Sequence, residues 1–123
     1  MPKRILLVED EEEMSRILDM ILKKAGYEVT LSFNGHDLFK DAGSLPDLIL
    51  MDKHLPDKNG LDICREIKSN PQTKDIIVII ISASLKNDQE IIDSCADEFI
   101  EKPFDIKMLL DLIAGYLDRS GAY

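Results

Sequence analysis

Asp52 ends an apolar run, Leu48-Ile49-Leu50-Met51, and is followed by a turn-forming segment that reaches Pro56 and Gly60. Four large apolar residues in succession suit a strand buried on both faces. A charge does not belong inside such a strand, so Asp52 is placed at its exposed C-terminal tip. Three other strand-like runs also end on polar groups. Ile5-Leu6-Leu7-Val8 meets Glu9-Asp10, Ile76 through Ile81 meets Ser82, and Phe99-Ile100-Glu101 meets Lys102. In a parallel sheet all C-terminal tips share one edge, where ligands bind in open α/β proteins. Residues far apart in sequence therefore converge there.

Glu9, Asp10 and Asp52 bring three carboxylates together. At about 5 Å and an effective dielectric near 20, each pair repels by roughly 3 kcal/mol. A divalent cation removes that cost. The donors are hard oxygens with no His/Cys set, which favours Mg²⁺ over zinc. Mg²⁺ bridges carboxylates to phosphoryl groups, Lys102 adds a point charge and Ser82 a hydroxyl. The set fits charge on three phosphoryl oxygens, with Asp52 as the nucleophile that forms an acyl phosphate.

The elements that must position these groups alternate along the chain. Arg4–Val8 reads as a first strand. An amphipathic helix follows, with Met14, Ile17, Leu18, Ile21 and Leu22 at helical spacing. Acids open this helix, Lys23-Lys24 close it and Gly26 stops it. Residues 27–31 form a half-buried second strand. Asn34-Gly35 makes a turn, and a short helix spans His36–Ala42. The Asp52 strand is the third. A helix runs from Asn59 or Gly60 to Lys68, with Leu61, Ile63, Cys64 and Ile67 apolar, and residues 69–73 form a loop. Residues 76–81 are six β-branched residues in succession, the strongest strand signal. A weaker helix spans Leu85–Ser94, a short strand 97–101, and a last helix Asp105 to about Arg119, before a frayed end at 120–123. The order βαβαβαβαβα predicts an α/β domain with a doubly wound parallel sheet and helices on both faces.

One domain is expected over residues 1–123, with its core at 4–119. Apolar residues make up 45% of the chain, enough for a core. No apolar run would span a bilayer and no signal peptide precedes the first strand, so the cytoplasm is the expected compartment. Cys64 and Cys95 lack metal spacing and read as core thiols. The net charge of -9 argues against nucleic acid and anionic membrane as partners.

These marks together resemble the receiver domain of two-component response regulators, over essentially all of residues 4–119. The marks are Glu9-Asp10, Asp52 with Pro56 and Gly60, Ser82-Ala83, and Lys102-Pro103-Phe104. The resemblance implies a five-stranded sheet in order 2-1-3-4-5, the flavodoxin-like sandwich. It implies phosphorylation of Asp52 from a phospho-histidine of a sensor histidine kinase or histidine phosphotransfer domain. The domain would catalyse that transfer and its own dephosphorylation, without being an enzyme otherwise. Mg²⁺ would be held by Asp10, Asp52 and the backbone carbonyl of His54, with Glu9 acting mainly through water. A cis peptide is implied before Pro103. Ser82 and Phe99 match the family's switch pair, which alters the surface of the fourth helix, fifth strand and fifth helix for an unidentified output partner. Four positions depart from the commonest pattern: Glu9 for Asp, Ser82 for Thr, Cys95 for a frequent Gly, and Lys53-His54 after the acceptor.

Other readings fit less well. An Asp-nucleophile phosphohydrolase wants a second acid two residues after Asp52, where His54 stands. A flavin module wants a phosphate loop after the first strand, where Glu9 to Glu13 would repel phosphate. A phosphorylation-dead relative would lack Asp52, Asp10 or Lys102. Glu11, Glu12 and Glu13 are a solvated helix start. No DNA-binding segment follows the last helix, so no direct nucleic-acid role is expected. The sequence leaves open whether this is a complete single-domain regulator or a receiver from a larger protein.

Overall fold

Side-chain alternation along the strands divides the interior into two cores, one on each face of a single sheet. A computed structural model describes residues 2–33, 45–56, 59–83 and 96–121. Its strands are β1 (Arg4–Val8), β2 (Glu28–Ser32), β3 (Leu48–Asp52), β4 (Ile77–Ser82) and β5 (Glu98–Glu101). The described helices are α1 (Glu12–Lys24), α2 (Gly60–Ser69) and α3 (Ile106–Gly121). All neighbouring strands are parallel, in the order β2-β1-β3-β4-β5. The helices expected at 36–42 and 85–94, the Asn34-Gly35 turn and Cys95 lie outside the described residues. Among the described residues no helix is long and apolar enough to cross a membrane.

On one face, Ile5, Leu7, Leu48, Leu50, Ile79, Ile81 and Ile100 pack against Leu18 and Leu22 of α1 and Leu109, Ile113 and Leu117 of α3. On the other, Leu6, Val8, Ile49, Met51, Val78 and Ile80 pack against Leu61, Ile63, Cys64 and Ile67 of α2. Each such Leu or Ile contributes about 1.5–3 kcal/mol by leaving water. β3 is buried along its whole length, as its unbroken apolar run requires, while the edge strand β2 is mostly exposed. The half-buried reading of β2 is therefore too generous: Thr30 and Leu31 face solvent.

Ile17 also departs from expectation, being 40% exposed, while Ser15 is buried beside Leu18 and Leu22. At 3.6 residues per turn, Ile17 lies well over a quarter of a turn from the line those three define. Helix α1 ends as its sequence requires. Gly26 adopts φ +103, and the Gly26 and Tyr27 amides bond back to the carbonyls of Lys23 and Leu22. Asn59 caps α2 by accepting from the Leu61 amide at 2.8 Å. Helix α3 continues to Gly121, past the expected stop near Arg119.

A polar clasp closes the sheet edge opposite the carboxylates. Lys68, at the end of α2, donates to the carbonyls of Lys74 (3.3 Å) and Ile76 (2.7 Å) and to Asp97 Oδ2 (2.7 Å). Asp97 Oδ2 also accepts from the Val78 amide at 2.8 Å, and the Tyr116 hydroxyl donates to the Asp97 carbonyl at 2.9 Å.

Candidate functional site

The sheet's ladders extend past the strand ends and fix the backbone of the polar residues that follow. The Glu9 amide donates to the Ser32 carbonyl at 3.0 Å, Lys53 to Ile81 at 2.8 Å, and Lys102 to Ser82 at 2.8 Å. Asp52 closes β3 in register with Ile81, and Ser82 follows on the neighbouring strand. The four tips thus meet on one edge, as parallel strands demand.

The side chains complete the constellation. Lys102 Nζ donates to Asp52 Oδ2 at 2.7 Å and lies 3.8 Å from Glu9 Oε1. The other Asp52 oxygen, Oδ1, accepts from the His54 amide at 2.8 Å. Ligand oxygens of Glu9, Asp10 and Asp52 lie within 4.8 Å of one another. Asp10 is exposed, whereas Asp52 is only 6% and Glu9 only 2% exposed. The expected exposed tip for Asp52 is thus corrected: the carboxylate is buried, and the Lys102 ammonium balances its charge. Ser82 is fully buried, and Phe99 is half-buried against the α2 face. The peptide before Pro103 is cis, as the resemblance implied.

Electrostatics follow from this crowding. Burial and the adjacent Asp52 carboxylate push the Glu9 carboxyl up to about 8. Burial works against the Lys102 ammonium, but the bonded Asp52 carboxylate and Glu9 outweigh it and raise its pKa. Glu9 Oε1 is buried, and no hydrogen-bond donor among the described residues reaches it. An unsatisfied, buried, hard oxygen beside two further carboxylates fits a Mg²⁺ ion, whose charge would stabilise all three.

Sequence reasoning named His54 and Gly60 but not the roles of their amides. The His54 amide orients Asp52, a backbone role that leaves no trace in residue type. Gly60 donates from its amide to the Lys53 carbonyl at 2.6 Å, so the start of α2 rests on the acceptor's own segment. Its sequence signal was its place among the family marks after Asp52, which gave no role for it.

Fold and site together define a class: a doubly wound parallel α/β domain with an acid cluster and a lysine at the C-terminal edge. The response regulator receiver domain family matches residues 5–114. The chain belongs to that family, whose members are the phosphoacceptor modules of two-component signalling. It is 40% identical over 117 residues to the response regulator ArlR of Staphylococcus saprophyticus, covering 94% of this chain and 53% of ArlR. The chain therefore spans about half the length of the curated relatives it matches. Among solved structures, it is similar to the response regulator TrrA of Thermotoga maritima in complex with Mg²⁺ and a beryllium fluoride. TM-score there is 0.81 and identity 29%, over 93% of this chain and 98% of TrrA. It is also similar to the receiver domain of the sensor histidine kinase PA1611 of Pseudomonas aeruginosa, which holds a magnesium ion in its active-site cleft. That match has TM-score 0.84 and 28% identity, over 94% of this chain and 98% of that one.

Proposed function

We propose that Asp52 is the phosphoacceptor of this receiver domain and takes its phosphoryl group from a phospho-histidine of a sensor kinase or phosphotransfer domain in the cytoplasm. The observation that carries this reading is the Lys102 ammonium, 2.7 Å from Asp52 Oδ2 beside two further carboxylates. A bound Mg²⁺, held by Asp10, Asp52 and the His54 carbonyl with Glu9 next to it, would neutralise charge on the transferring group. In the transfer an Asp52 oxygen forms the new O–P bond as the N–P bond of the donor breaks and the imidazole leaves. Lys102 exchanges its bond to Asp52 for one to a phosphoryl oxygen, and the Ser82 hydroxyl donates to another. The His54 amide holds the carboxylate in place for attack. Apart from this transfer and its own dephosphorylation, the domain acts as a signalling module and not as an enzyme. The new charge draws Ser82 toward it and moves Phe99, changing the surface around β5 and α3 for an output partner.

Incubation with acetyl phosphate and Mg²⁺ should add one phosphoryl group by intact mass, and none to Asp52→Asn. An equal gain in that variant would remove the assignment. Fluoroberyllate should bind with Mg²⁺ present and not in excess chelator; equal binding in both would count against the metal.

A further inference from the structure

We infer that Gly60 is a positioning residue for phosphoryl transfer: the first turn of α2 is the stop against which the backbone of Asp52 and Lys53 is set. This rests on the metal-dependent phosphoacceptor reading above and goes beyond it by giving a role to a residue that touches neither metal nor phosphate. Gly60 is buried and opens α2. Its backbone is not in the left-handed region, so no conformational demand calls for glycine here. The demand is for space. A Cβ at this position would drive into the Asp52 carbonyl oxygen, closer than real Cβ atoms approach, and would meet Lys53 Cα at 3.0 Å and the Asp52 carbonyl carbon at 3.2 Å. All three obstacles are backbone atoms, and none can rotate away as a flexible side chain would.

The contact is tightened from both sides. The Gly60 amide donates to the Lys53 carbonyl at 2.6 Å, and His54 and Asn59 pair as an isolated antiparallel bridge. Asn59 caps the same helix end through the Leu61 amide. Any side chain at Gly60 must therefore displace the Asp52–Lys53 backbone, carrying with it the His54 amide that holds Asp52 Oδ1 at 2.8 Å. The His54 carbonyl, assigned above to the metal, moves with the same segment. Misplacement on the order of 1 Å costs a positioned reaction about a hundredfold.

The test compares Gly60→Ala and Gly60→Val with Ile63→Val, which trims the same helix away from the acceptor. Free Mn²⁺ by electron paramagnetic resonance and Mg²⁺ titration give metal affinity; acetyl phosphate labelling gives the transfer rate. Gly60→Ala should weaken metal affinity by about tenfold and Gly60→Val by more, in the range seen when groups supporting metal ligands are lost. The Ile63→Val protein, though less stable, should keep wild-type affinity. Metal affinity in folded Gly60→Ala equal to wild type would overturn the inference and leave the phosphoacceptor reading standing. A wild-type protein that binds no divalent cation would overturn both. If Gly60→Ala does not fold, the Gly60 amide of the wild type decides. Its hydrogen exchange should slow when Mg²⁺ and fluoroberyllate bind, and an unchanged rate would overturn the inference.

Discussion

The two faces of the sheet are alike in their apolar rows and unlike in how those rows end. On the face covered by α1 and α3, the rows through Ile5-Leu7, Leu48-Leu50 and Ile100 continue by alternation to Glu9, Asp52 and Lys102. On the face covered by α2, the row through Leu6-Val8 continues to Asp10 and the row through Val78-Ile80 to Ser82, while Phe99, the proposed switch ring, packs against that core. The first face ends in two buried carboxylates and a lysine, whereas the second sets a hydroxyl and an aromatic ring beside the exposed Asp10. Under the proposed function, a change of charge made on the first face is read by Ser82 and Phe99 on the second. The shared tip of β3 and β4 is the place where that transfer is short, because Asp52 and Ser82 are one register step apart.

Removing the charge on the first face should have the largest effect. Asp52→Asn should abolish phosphorylation by acetyl phosphate, and any residual labelling would be located by peptide mass mapping. Lys102→Ala should slow labelling by about a hundredfold, the loss typical of removing one electrostatic donor, while Mg²⁺ still binds. A rate close to wild type would move the catalytic charge elsewhere. Next come the two cores. Ile79→Ala and Ile80→Ala face opposite ways and are both fully buried, so each should cost about 2–5 kcal/mol in urea denaturation. A negligible cost on one side would show that the faces do not share the fold's stability.

The switch face should give a subtler result. Phe99→Leu should label at within about twofold of the wild-type rate, since the ring touches none of the reacting atoms. Fluoroberyllate should, however, alter hydrogen exchange in β5 and α3 less than in wild type. Glu9 adds a pH dependence to the charged face. Its carboxyl is held near 8 in the folded protein against an ordinary 4.5, so between these values the native state binds the extra proton. Metal-free stability should then fall as pH rises from about 4.5 through about 8 and level off above. In Glu9→Gln this part of the slope should vanish from urea midpoints measured across the same range.

Much of this arrangement could be read from residue types. The unbroken runs of β3 and β4 fixed their burial, and a polar stop at each tip fixed the site, because parallel strands leave no other edge for those residues. What could not be read depends on rotation and on backbone contact. Spacing alone counted Ile17 as inward, yet Ser15 takes the inner line of α1. Asp52 was expected at an exposed tip, because residue types brought Lys102 to the same edge without showing that its ammonium bonds the carboxylate directly and lets it be buried. The His54 role runs through a main-chain amide, about which side-chain identity says little, and the glycine at 60 could be read without the backbone it makes room for.

The far edge of the sheet holds a constraint of another kind. The Lys68 ammonium has three N–H groups and meets three oxygens, contributed by two carbonyls and one carboxylate. A guanidinium, flat and wider, cannot point its donors in those three directions from the same stem. Exchanging one basic residue for the other there would keep the formal charge of the chain and still unfasten the end of α2 from the starts of β4 and β5. Homologues of this protein that carry arginine at that position must therefore hold those three elements together by other means.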